Sequence, residues 1–160
     1  MNISLRLLVA LLLGLLIVPA TLAASPPPSI VANVGQLNGD PCSIQAHVYT
    51  PISITGATTT KILTPTTGKK IYICHLFLFT AIANNVGIVE GVTGGTCTSS
   101  TVGVIGGTTS TNGINFTANQ GFESGNGTNF IAQTASVSND LCFITSAAGP
   151  LAGAMVTVQQ

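Results

Sequence analysis

Past residue 40 the chain is a succession of short β-branched and aromatic runs, each cut off by Gly, Pro or Asn-Gly before it reaches helix length. That punctuation restricts the fold more than any other feature. Good helix formers are scarce after Ser25, while Gly and Thr recur throughout, so strands joined by turns are the natural reading. The strongest run is Ile71-Tyr72-Ile73-Cys74-His75-Leu76-Phe77-Leu78-Phe79, entered through Gly68-Lys69-Lys70. Strict alternation would place Ile71, Ile73, His75, Phe77 and Phe79 on one face and Tyr72, Cys74, Leu76 and Leu78 on the other. Both faces are apolar, which predicts a central strand covered on both sides.

Weaker runs surround it. Ser43 to Tyr49 reads as a first strand, and Pro51 to Thr55 as a second whose proline suits a strand start or an edge. Further strands are predicted over 58–63, 86–92, 102–105, 114–117, 129–134, 141–144 and 152–158. Asn112-Gly113 marks a tight turn, and 122–127 reads as a loop. About eight to ten short strands at roughly 8–12-residue spacing predict an all-β sandwich or barrel.

The first residues set the compartment. Arg6 precedes an unbroken apolar run from Leu7 to Val18, then Pro19 and the small residues Thr21, Ala23 and Ala24. This is the order of a signal peptide over residues 1–24. Leu5 to Ala24 is also just long enough to span a bilayer as a retained anchor. A membrane is expected only through this leader, since no second apolar stretch of that length follows. Residues 25–40 begin Ser25-Pro26-Pro27-Pro28-Ser29 and read as an extended spacer, leaving 41–160 as one β-sandwich domain. The expected location is secreted, extracellular or on a cell or virion surface.

An exported chain changes the meaning of its cysteines. Cys42, Cys74, Cys97 and Cys142 are even in number, as in a disulfide framework. They admit three pairings, of which Cys42–Cys74 with Cys97–Cys142 is preferred. Metal ligation is disfavoured because no short Cys-x₂₋₄-Cys pair exists.

Only 5% of the residues are charged, against about 25% in a typical domain. No basic patch is available to neutralise phosphates, which argues against nucleic acid. A weakly charged surface favours self-association, so a homo-oligomer or fibre is expected.

The sequence Gly68-Lys-Lys-Ile-Tyr-Ile-Cys74, then Val89-Glu-Gly-Val-Thr-Gly-Gly-Thr-Cys97, then Asn139-Asp-Leu-Cys142 and Gly153-Ala-Met-Val-Thr-Val-Gln-Gln160, resembles small jelly-roll β domains. These occur in phage and virus-associated structural proteins and in uncharacterised environmental secreted proteins. The resemblance covers 41–160. It implies a jelly-roll-like antiparallel sandwich and a tip or decoration role, commonly trimeric.

Catalytic chemistry finds little to stand on. His47 and His75 are the only histidines, and both read as structural, each with a single hydrogen-bond partner. Asp40 and Asp140 look like turn formers beside Asn. Glu90 and Glu123 lack any spacing that would pair them as acid and base. No nucleophile elbow, dinucleotide loop or P-loop occurs. No enzyme and no cofactor is therefore expected. The expected function is an exported structural or adhesive protein, with a carbohydrate-binding module as the alternative. For that alternative Phe122 and Phe130 are the candidate contacts, since the chain has no Trp. Asn115 and Asn126 head two glycosylation acceptor motifs.

Overall fold

The structure is a computed structural model that describes residues 39–160. The leader and most of the Pro-rich spacer lie outside the described residues. A short helix α1 (Pro41–Ile44) is followed by ten strands: β1 (Val48–Ile54), β2 (Thr59–Leu63), β3 (Ile71–Thr80), β4 (Asn84–Gly91), β5 (Val102–Ile105), β6 (Ile114–Phe116), β7 (Gln120–Ser124), β8 (Ala132–Gln133), β9 (Asp140–Thr145) and β10 (Leu151–Gln159). All pairings are antiparallel.

Sheet I runs β1-β10-β3-β7, with β8 continuing beside β3; sheet II runs β2-β9-β4-β5, with β6 continuing beside β4. If β5 and β6 are taken as one interrupted strand, and β7 and β8 as another, the order is that of a jelly roll: two four-stranded sheets built from interlocked Greek keys. The all-β, jelly-roll-like sandwich expected from the sequence is the fold observed. Pro51 falls on β1, an outer strand of sheet I, the kind of position where a strand tolerates proline.

The core lies between the sheets. Ile52, Ile54, Ile71, Ile73, Leu76, Leu78, Leu151 and Met155 from sheet I meet Val86, Ile88, Phe116, Leu141 and Phe143 from sheet II. Phe122 leans into this core from β7, its ring edge-on to Phe116 at 6.3 Å between centroids.

Four expectations are corrected. Ser43 to Tyr49 does not begin as a strand: Asp40 caps α1, its carboxylate accepting from Cys42 N at 2.9 Å, and Pro41 occupies the first turn. Asp-Pro is an N-cap and first-turn pair, and one helical turn suffices here. Residues 122–127 are not wholly loop, because Gln120–Ser124 pairs with β3. One inward side chain, Phe122, satisfies that short edge strand, so no alternation is visible in the sequence. Residues 129–134 contribute only the two-residue β8.

The fourth correction concerns β3. Its core face does not keep one parity. Ile71 and Ile73 point inward, and so do Leu76, Leu78 and Thr80. The register against β10 slips between Val156, opposite His75, and Thr157, opposite Ile73. Cys74 is the extra residue of a β-bulge, which shifts the alternation by one. Phe77 and Phe79 thereby face outward, 43% and 41% exposed, with no second layer over them among the described residues.

Both disulfides form as preferred, Cys42–Cys74 and Cys97–Cys142. Each pins a segment onto the outside of a sheet. Cys42 brings α1 over Val156 and Val158 on sheet I, and Cys97 brings the β4–β5 loop over Val89 and Ile144 on sheet II.

Candidate binding face

The bulge at Cys74 also builds the site. It turns two consecutive side chains, Cys74 and His75, to the outer face of sheet I. Cys74 is spent on the disulfide, which anchors α1 and the segment leading into β1. His47 ends that segment and donates from Nε2 to the Cys42 carbonyl at 2.8 Å. His75 Nε2 lies 2.9 Å from Glu123 Oε1 on the neighbouring strand β7. The two histidines thus come to one cleft of about 480 Å³, lined also by Tyr49, Asn126, Thr128 and Val156.

The third wall is the turn after β7. Gly125 sits at φ +84°, and a Cβ there would collide with the Cys74 carbonyl oxygen. Only glycine lets the turn approach the bulge so closely. The same carbonyl accepts from Gly127 N at 3.1 Å. Asn126 then points its amide at the cleft end of the turn. Its Oδ1 accepts from Thr128 N at 3.0 Å and from Thr128 Oγ1 at 2.8 Å. Fixing the oxygen this way fixes the orientation of the Nδ2 donor.

Beyond the cleft the face is apolar. The register aligns Tyr49, Val156 and His75 in one row, Pro51, Ala154, Phe77 and Glu123 in the next, and Ser53, Ala152, Phe79 and Gly121 in the third. Glu123 carries the single carboxylate in these rows. Its side chain is 67% exposed, and Tyr49 is 75% exposed.

The remaining candidates fall elsewhere. Phe130 is exposed beside Tyr72, its ring edge-on at 5.5 Å, near a separate cleft formed with Asp40 and Gln133. Asp40 Oδ2 accepts from Phe130 N at 2.8 Å and ties the two segments together. Phe122, the other candidate contact, leans into the core. The exposed aromatics are Tyr49, Phe77, Phe79 and Phe130. Asn115 lies on β6 and donates from Nδ2 to Asn85 Oδ1 at 2.9 Å.

Glu90 and Glu123 are not brought together. Glu90 is fully buried on β4 of sheet II, accepting from Ala135 N, Ser136 N and Asn139 Nδ2. It is a staple for the β8–β9 loop. Asp140 is likewise buried, accepting from Gly94 N at 3.1 Å with Lys61 Nζ at 3.5 Å. Among the described residues no group of three or more His, Cys, Asp or Glu is placed to hold a metal ion.

Fold and face together define a disulfide-stapled jelly-roll sandwich with an aromatic outer face on one sheet. No protein-family model, curated protein or solved structure matches this chain.

Proposed function

We propose that this is an exported, non-catalytic adhesive or structural protein that makes contact through the outer face of sheet I. The observation that carries the reading is the apolar face of Tyr49, Pro51, Phe77 and Phe79, left open among the described residues on either side of Ala152 and Ala154. Large apolar side chains gathered on one open sheet face mark an interaction surface. The two disulfides fit an oxidising, extracellular setting.

Size decides the kind of contact. Four strands by about five residues cover roughly 300 Å², whereas a stable interface needs about 800 Å² per partner. Contact between copies through this face alone is weak. It becomes effective when many copies are displayed together, as on a cell, fibre or virion surface. The resemblance to phage and virus-associated decoration domains points the same way.

Light scattering on the purified full-length chain over a wide concentration range tests this. The expected result is reversible, concentration-dependent association that disappears in the Phe77→Ser/Phe79→Ser variant. Association unchanged in that variant, or a strict monomer at every concentration, would overturn the assignment of this face.

A second reading, a secreted carbohydrate-binding module, is favoured by one specific observation. The cleft beside Tyr49 combines an exposed aromatic ring with oriented hydrogen-bonding groups.

A further inference from the structure

We infer that the cleft between Tyr49 and the β7–β8 turn is a binding site for a neutral saccharide, held between the Tyr49 ring and the Glu123–Asn126 pair. This inference rests on the carbohydrate-binding reading above and gives it a location and a ligand class.

The cleft, at about 480 Å³, lies within the size range of small-ligand sites. Its polar groups supply both halves of a hydroxyl's requirement, an acceptor and a donor. Glu123 offers the acceptor: Oε1 is engaged by His75 at 2.9 Å, which leaves Oε2 of this 67% exposed side chain without a partner among the described residues. Asn126, which lines the cleft, offers the donor: Thr128 takes up its Oδ1 twice, which leaves Nδ2 without a partner among the described residues. A sugar hydroxyl both donates and accepts, so neighbouring hydroxyls on one ring can donate to the carboxylate and accept from the amide. Both protein groups are oriented before the ligand arrives, which lowers the ordering cost of binding.

The opposite wall is Tyr49, three-quarters exposed on an outer strand with its flank open. A sugar ring presents an apolar C–H face as well as a polar rim. An amphipathic aromatic ring opposite a carboxylate–amide pair matches both. Charge sets the class. Among the described residues no Lys or Arg lines the cleft, and its carboxylate repels an anion, so acidic sugars and phosphorylated ligands are poor candidates. The imidazoles of His47 and His75 each keep one ring nitrogen uncommitted for further hydroxyl contacts.

The second cleft, beside Phe130, provides the internal control. It too has an aromatic ring, but Asp40 there is already occupied by Cys42 N and Phe130 N.

The test uses the full-length chain on an array of neutral and acidic oligosaccharides, followed by calorimetry with the neutral oligosaccharide that binds best. Tyr49→Ala, Glu123→Gln and Phe130→Ala alter exposed side chains and are expected to fold as the parent does. Neutral-glycan binding at least about tenfold weaker in Tyr49→Ala and in Glu123→Gln, yet unchanged in Phe130→Ala, is the expected result. Binding that survives the first two changes and falls with Phe130→Ala would overturn the location while leaving a carbohydrate-binding protein. Binding confined to acidic glycans would overturn the ligand class. No binding to any glycan would overturn the site and the carbohydrate reading together.

Discussion

Glu90 shows how a single residue escapes a sequence reading. In the chain it is one of four carboxylates with no distinctive neighbours. In the fold it is fully buried and accepts three hydrogen bonds from the segment between β8 and β9. A buried carboxylate is tolerable only when its oxygens are satisfied. Glu90→Ala would strand three donors at the end of the sandwich, at a cost of about 3 kcal/mol or more. Urea denaturation measures that loss, and faster hydrogen exchange at the Ala135 and Ser136 amides localises it. An unchanged midpoint would show that the staple carries no weight. His75 makes a related point. The sequence named no partner for it, and in the fold that partner, Glu123, lies 48 positions away. Nothing local connects the two.

At the scale of elements the β3 bulge matters most. Alternation correctly marks Ile71–Phe79 as a central strand, since β3 pairs with β10 on one side and with β7 and β8 on the other. Alternation cannot reveal that Cys74 is an extra residue, because every residue from Ile71 to Leu78 suits either face. The bulge sends Leu76 and Leu78 to the core and His75, Phe77 and Phe79 outward. The turn after β7 is fitted to it. Gly125→Ala introduces a Cβ against the Cys74 carbonyl at a positive φ, and is expected to destabilise by about 2–3 kcal/mol and to displace the turn. Gly127 shares that φ but has nothing within 4 Å of its missing Cβ. Gly127→Ala should therefore cost only about 1 kcal/mol. Thermal unfolding of both variants, with amide chemical shifts of His75 and Asn126, separates steric conflict from backbone strain. Equal effects would refute the close fit of turn and bulge.

Among the described residues the fold is a two-sheet sandwich with a pinned segment on the outside of each sheet. The disulfides span 32 and 45 residues, and in the chain-entropy model each contributes roughly 3–4 kcal/mol. Their functional consequences should differ. The Cys42→Ser/Cys74→Ser variant frees α1 and the segment carrying His47, so it should lose the cleft as well as stability. The Cys97→Ser/Cys142→Ser variant loosens the segment pinned on sheet II and should leave the sheet I face intact. Chemical denaturation with glycan binding at low temperature distinguishes them; loss of binding in both variants beyond their loss of folded fraction would contradict this division. Much at this scale was visible in the sequence: an all-β class, about eight to ten short strands, and four cysteines with a preferred pairing. These follow from local chemistry, because turn residues, β-branched runs and cysteine number act within a few positions of themselves. The face that makes contact was not visible. Tyr49, His75, Phe77, Glu123 and Asn126 come from three strands and a turn, and their meeting depends on a jelly-roll order and a one-residue bulge. Short-range sequence pattern determined which segments become strands. The tertiary structure decided which side of each strand is buried, because sidedness is set by long-range register, and a slip of one residue reverses it.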